Sequence, residues 1–127
     1  MNALATTAAV LAALLALAHG VGGELTSVRA LRRERTSEGD KLELRATWHL
    51  YTWQLSLSAA ALLAMSAGLA PDRDVLRWLV VASFVGSGAV ILVFAATRGV
   101  RTVVRYPQWV LLSAVGVLAW WATRPSR

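Results

Sequence analysis

Two histidines, one carboxylate and two glutamines carry the chemistry available inside the apolar parts of this chain. They are His19, Glu24, His49, Gln54 and Gln108. Histidine titrates near neutral pH, and a nearby carboxylate tunes it. Four readings stay open for this set. It glues helices by hydrogen bonds, with His19, Gln54 and Ser56 exchanging them and Glu24 pairing with His49. It forms a proton or ion site, since ionisable residues at membrane depth are functional candidates. It holds a metal, since His19, Glu24 and His49 have the two-His-one-carboxylate composition of non-haem iron and some zinc sites. Or it lines a cofactor or lipid pocket, with His19 as a single haem ligand or a quinone contact. Arg45, Arg98 and Arg105 would then pair with propionates, lipid headgroups or other anionic groups.

These residues need elements to hold them, and composition says which. The 127 residues are 57% hydrophobic and 16% charged, with a mean hydropathy of +0.54. Soluble domains run about 45–50% apolar and about 25% charged. Four stretches contain no Asp, Glu, Lys or Arg: 1–23, 46–71, 78–97 and 106–123. A helix of roughly 20 apolar residues crosses a hydrocarbon core, and backbone in lipid must satisfy itself internally. The expected fold is an all-α membrane protein, one integral domain over 1–127. It is an up-down-up-down bundle of four transmembrane helices near 3–35, 41–69, 74–97 and 106–123. Ala16-Leu17-Ala18 has the small residues of a signal-peptide cleavage site. No Lys or Arg precedes the apolar run as a signal n-region requires, so a retained helix is expected.

Charge sets the orientation. Arg29, Arg32, Arg33, Arg35, Lys41 and Arg45 fall in the first loop, and Arg98, Arg101 and Arg105 in the third. The other side has Arg73, Arg77, Arg124 and Arg127. Basic loops stay in the cytoplasm, so both termini are expected outside, in a bacterial inner membrane. Trp48, Tyr51, Trp53, Tyr106 and Trp109 sit toward one interface, and Trp78, Trp120 and Trp121 toward the other, as an aromatic belt does. That belt accounts for all six tryptophans. The net charge of +6 and the pI near 11.3 fit positive-inside loops and anionic lipid, and no nucleic-acid partner is expected. The alternating charges of residues 29–45 read as a solvated hairpin laced with ion pairs. A docking surface for a partner or acidic lipid is the alternative.

His19, Glu24, His49, Gln54 and Gln108, with Arg98, all fall toward the cytoplasmic leaflet, which favours one shallow pocket over a through-going pathway. With a turn centred near residue 38, Glu24 faces Thr52 and His19 faces Leu57. At 1.5 Å rise per residue, Glu24 and His49 differ by roughly 4–5 Å in depth and His19 and His49 by roughly 12 Å. The first pair is within reach of a hydrogen bond, and the second separation disfavours a bis-His haem. Asp40 with Glu43 has the spacing of a capping box for the second helix. Pro71-Asp72-Arg73-Asp74 reads as a tight turn with Asp72 or Asp74 capping the third helix. Gly99 suits the end of that helix, and Pro107 the first turn of the fourth. Small-residue stripes mark packing faces: Ala5, Ala9 and Ala13; Ala8, Ala12, Ala16 and Gly20; Ala82 with Gly86; Ser83 with Ser87. Two stripes on the first helix give it two neighbours, or one neighbour and a second copy.

No cysteine is present, so disulfides, thiolate metal sites and thiol catalysis are excluded. There is no His-Glu-x-x-His, phosphate loop or Gly-x-Ser-x-Gly elbow, which leaves no motif for an enzyme. The small multidrug resistance transporters share the size, but their first-helix glutamate has no counterpart before Glu24. The polar filter motif of the dual-topology fluoride channels is also missing. The pattern His19-x-x-x-Gly23-Glu24, followed by Trp48-His49, resembles that of uncharacterised small bacterial four-helix integral membrane proteins. That resemblance implies the fold and directs attention to those residues, without an activity. Two functions are expected from different classes: a membrane protein whose pocket binds a proton, metal ion, cofactor or amphipathic ligand, or a non-catalytic subunit of a larger membrane complex.

Overall fold

The computed structural model describes residues 3–70, 73–105 and 107–124. The regular structure among them is entirely helical. Helix α1 covers Ala3–Leu31, α2 Glu38–Ser66, α3 Arg73–Ala96, α4 Val100–Arg105 and α5 Gln108–Ala122. By length and composition α1 and α3 are able to cross a membrane, and α5 is a shorter apolar helix.

Helix α1 changes pitch along its length. It is α-helical to Leu17, takes π-turns over Ala18–Gly22 and Glu24–Val28, and closes with an α-turn at Arg29–Leu31. Three glycines, Gly20, Gly22 and Gly23, fall in the widened part. Glycine tolerates the change because no side chain defends the α pitch, and π-turns commonly sit at functional sites. The helix ends at Leu31, earlier than residue 35. Chain 32–37 forms the turn, and the cap of α2 is Ser37 rather than Asp40. The Asp40 N–H donates to Ser37 Oγ at 3.1 Å, with Ser37 in extended backbone. Ser37-x-x-Asp40 therefore holds the capping-box positions.

The other ends follow local chemistry. Gly68, at φ +76°, closes α2. Leu69 N–H donates to Ala64 O and Gly68 N–H to Met65 O, the double bond of a Schellman motif. Gly99, at φ +96°, ends α3 as its sequence position indicated. The expected fourth helix appears as α5, a residue or two shorter at each end, with Pro107 as its N-cap residue, and α4 is an additional short helix in the expected third loop. Pro71, Asp72, Tyr106 and Arg127 lie outside the described residues. Asp74 sits in the first turn of α3 and pairs with Arg77 at 3.1 Å.

Four helices pack side by side in the order α2, α1, α5, α3. The α1/α2 and α3/α5 pairs are each antiparallel, and α1 against α5 joins them. Ala5, Ala8, Ala9, Ala12 and Ala16 are buried on α1, so both alanine stripes pack, apart from Ala13, which is exposed. Small side chains let helix backbones approach closely, so these alanines set the spacing. On α3 Ser83 and Ser87 are half-buried, but Ala82 and Gly86 are turned away and exposed. Gly88 packs instead, where a Cβ would lie 2.6 Å from Ser113 Oγ and 3.0 Å from Trp109 O. Gly116 of α5 does the same against Val85 and Phe84. Phe84, Leu62 and Met65 are the largest fully buried side chains.

The end away from the α1–α2 turn carries an arginine–tryptophan cluster. Trp78 and Trp120 are 4.8 Å apart. Arg77 lies over Trp120 at 5.1 Å, and Arg124 over Trp121 at 4.0 Å. Both contacts are in cation–π range.

Candidate functional site

A cavity of about 810 Å³ opens between α1, α2, α3 and α5 at the end that carries the α1–α2 turn. That is within the range of small-molecule sites, roughly 300–1,000 Å³. Leu15, Leu55, Ile91 and Leu112 form its apolar depth, and Thr26, Ser27, Arg98 and Gln108 its polar rim. His19, Trp48, Tyr51 and Phe94 line the wall between.

His19 is a half-buried polar group in this wall. Its ring stacks on Trp48, with centroids 4.2 Å apart and planes at 12°. Tyr51 meets it edge-on at 4.9 Å. His19 Nδ1 is 2.9 Å from Thr52 Oγ1. The Trp48 indole N–H donates to the His19 carbonyl at 3.0 Å, inside the π-turned part of α1. Gly23 makes this possible, because a Cβ there would overlap the indole. The Tyr51 hydroxyl is buried beside Ser87 without a hydrogen bond of good geometry.

A second cluster sits nearer the turn. Glu24 Oε1 receives the Arg45 Nε–H at 3.0 Å and lies 2.8 Å from His49 Nε2. Arg32 approaches Oε2 at 3.4 Å. The reachable Glu24–His49 pair read from the sequence is therefore present in the structure. The carboxylate has water access, with 28% of its side chain exposed, so this is a screened surface network.

The predicted register is corrected. His19 faces Thr52 rather than Leu57, because α1 stops at Leu31 and the turn moves toward the N-terminus. His49 lies three residues before Thr52, so the two histidines differ by only about 4.5 Å in depth, not 12 Å. They still do not converge. His49 is engaged by Glu24 and does not line the cavity, while His19 is held by Thr52 and Trp48. Among the described residues no group of three or more His, Cys, Asp or Glu is placed to hold a metal ion. The His19–Glu24–His49 metal set is not assembled.

The remaining predicted residues divide. Gln108 and Arg98 reach the cavity rim. Gln54 is exposed and lies off the cavity, and Ser56 donates to Thr52 O within its own helix at 2.9 Å, so neither bonds His19. Arg45 is taken up by Glu24, and Arg105 is exposed at the end of α4. Sequence reasoning missed Thr52 and the stacking role of Trp48. The signal was present: Trp48 and Thr52, one turn apart on α2, oppose Gly23 and Gly20 on α1.

The chain matches no family model, no curated protein and no solved structure.

Proposed function

We propose that this chain is a multi-pass protein of the cell membrane whose cavity takes an amphipathic ligand. Its body lies among Leu15, Leu55, Ile91 and Leu112, and its polar head at Arg98 and Gln108. The observation that carries this reading is the wall itself. Apolar surface dominates it, and Arg98 is its one charged residue among the described residues. No ion pair to Arg98 exists among the described residues, which leaves its guanidinium fork for an anionic or acceptor head.

Membrane insertion in four spans, with both termini outside, is part of the same proposal. Only 28% and 22% of the most apolar windows of α1 and α3 are buried within the structure. Leu14, Leu17, Leu57, Leu79, Val93 and Phe94 are among many large apolar side chains left exposed, a surface that needs lipid around it. Helix α2 contributes its charge-free part from Ala46 onward. Helix α5, with 15 residues, is about 22 Å long, so local bilayer thinning and its terminal tryptophans accommodate it. Nine of the basic residues fall on the turn side, where anionic cytoplasmic lipid would meet them.

The test is binding of a dansyl-labelled fatty acid to the full chain in nanodiscs, read by fluorescence against empty nanodiscs. Saturable binding is expected, weakened about tenfold or more by Leu112→Trp, which fills the cavity, and by Arg98→Ala. Binding that ignores both substitutions would remove the reading. A second reading, an accessory subunit of a larger complex or a homo-oligomer, is favoured by one feature: Ala82 and Gly86 of α3 face outward, with open space around a Cβ at Gly86. Cross-linking from Ala82→Cys to a partner chain or a second copy would support it.

A further inference from the structure

Thr52 Oγ1 takes part in two hydrogen bonds. It donates to the Trp48 carbonyl, one turn back, at 3.1 Å, a common habit of threonine within helices. Its one proton is thereby used. The contact with His19 Nδ1 at 2.9 Å must then run the other way, with the ring N–H donating to the threonine oxygen. No carboxylate touches His19, since Glu24 is taken up by His49, Arg45 and Arg32. A neutral imidazole with Nδ1–H has its lone pair on Nε2. The stack on Trp48 and the edge contact with Tyr51 hold the ring against rotation.

Among the described residues Nε2 has no hydrogen-bond donor. Nε2 is not among the buried atoms left without a partner, so on the wall that His19 gives to the cavity a ligand O–H can replace water as its donor. The wall beside His19 is aromatic, with Trp48 and Tyr51 in contact with its ring. Flat rings stack favourably on such walls. We infer that the cavity selects a ring-bearing amphiphile that donates an O–H to His19 Nε2, the chemistry of a hydroquinone or phenol with an apolar tail. This rests on the reading of the cavity as an amphiphile site and names its substrate class. It concerns recognition alone.

The test compares two probes on the full chain in nanodiscs: a short-prenyl naphthohydroquinone kept reduced, and its deoxy analogue lacking both hydroxyls. Each is corrected for its partition into protein-free nanodiscs. The hydroquinone is expected to bind about tenfold more tightly, the worth of one well-placed hydrogen bond. His19→Ala should erase the difference, and His19→Gln, which keeps an acceptor, should restore part of it. The wild-type ratio stands even if a variant fails to fold. Equal binding of both probes overturns the inference, and so does failure of both to bind while the dansyl fatty acid still binds. If none of the three binds, the amphiphile site itself is lost as well.

Discussion

The indole of Trp48 lies against the backbone of Gly23 with no room for a Cβ between them. From that position it donates to the His19 carbonyl and stacks under the His19 ring. One side chain of α2 therefore touches both the widened part of α1 and the ring of the cavity's histidine. Gly23→Ala must displace the indole. A loss of about 1–3 kcal/mol is expected, as for overpacked cores, read by unfolding in mild detergent. Gly22→Ala is the control. Nothing lies within 4 Å of its Cβ, so it should be neutral or raise stability by about 0.5–1 kcal/mol through backbone entropy. Equal effects at the two glycines would contradict the packing described.

The α3/α5 seam makes a parallel prediction. Gly116→Ala brings a methyl group to 2.7 Å from Val85 Cγ2 and 3.3 Å from the Val85 backbone nitrogen. It should destabilise by about 1–3 kcal/mol. Gly86→Ala, in open space, should not. If Gly86→Ala proves the worse of the two, the outward face of α3 carries a contact to another chain.

Thr52→Val removes the acceptor for His19 Nδ1–H while keeping the side-chain shape. It should cost about 1–3 kcal/mol, the penalty for stranding a buried donor. Nitrogen NMR of the histidines gives the sharper readout. Wild type should show His19 protonated at Nδ1, and Thr52→Val should let the tautomers mix. A wild-type His19 protonated only at Nε2 would reverse the donor assignment.

Glu24→Gln should loosen the turn end of the α1/α2 pair without lowering global stability, because the cluster is solvent-exposed. Faster amide exchange around Arg45 and Trp48 is expected. High salt should produce part of the same effect in wild type, by screening the ion pairs. Unchanged exchange in both conditions would show that the cluster does not hold the helix ends.

The absence of native cysteine makes each introduced one a unique reporter. Ser37→Cys should react only with reagents that enter the cytoplasm, and Arg124→Cys with impermeant reagents outside. Labelling of Arg124→Cys only after permeabilisation would invert the proposed orientation.

Much of the helical order was legible from charge, because uncharged runs and charged turns alternate along the chain. Gly99 and Pro107 also carry their roles openly, since each has a backbone preference that few contexts override. Register was not legible. It depends on where α1 stops, and the end at Leu31 follows a change of helical pitch that hydrophobic spacing does not reveal. The Ser37 cap was hidden by Asp40, a residue that caps equally well from a neighbouring position. On α3, five small residues competed for the packing face, and only the partner helix selects Gly88 over Ala82 and Gly86. The site was half legible: the histidine stood out, whereas Thr52 is an ordinary helix residue until its partner is known.

The sparse contact between α2 and α3 has a consequence for assembly. The molecule is two antiparallel hairpins zipped along one seam, α1 on α5. Helices that insert independently and then associate do not need a continuous chain between them. A gene divided after Leu69 would encode two fragments, each a complete hairpin. Expressed together, and inserted as proposed, they should find each other and rebuild the same cavity, because its walls come from both halves.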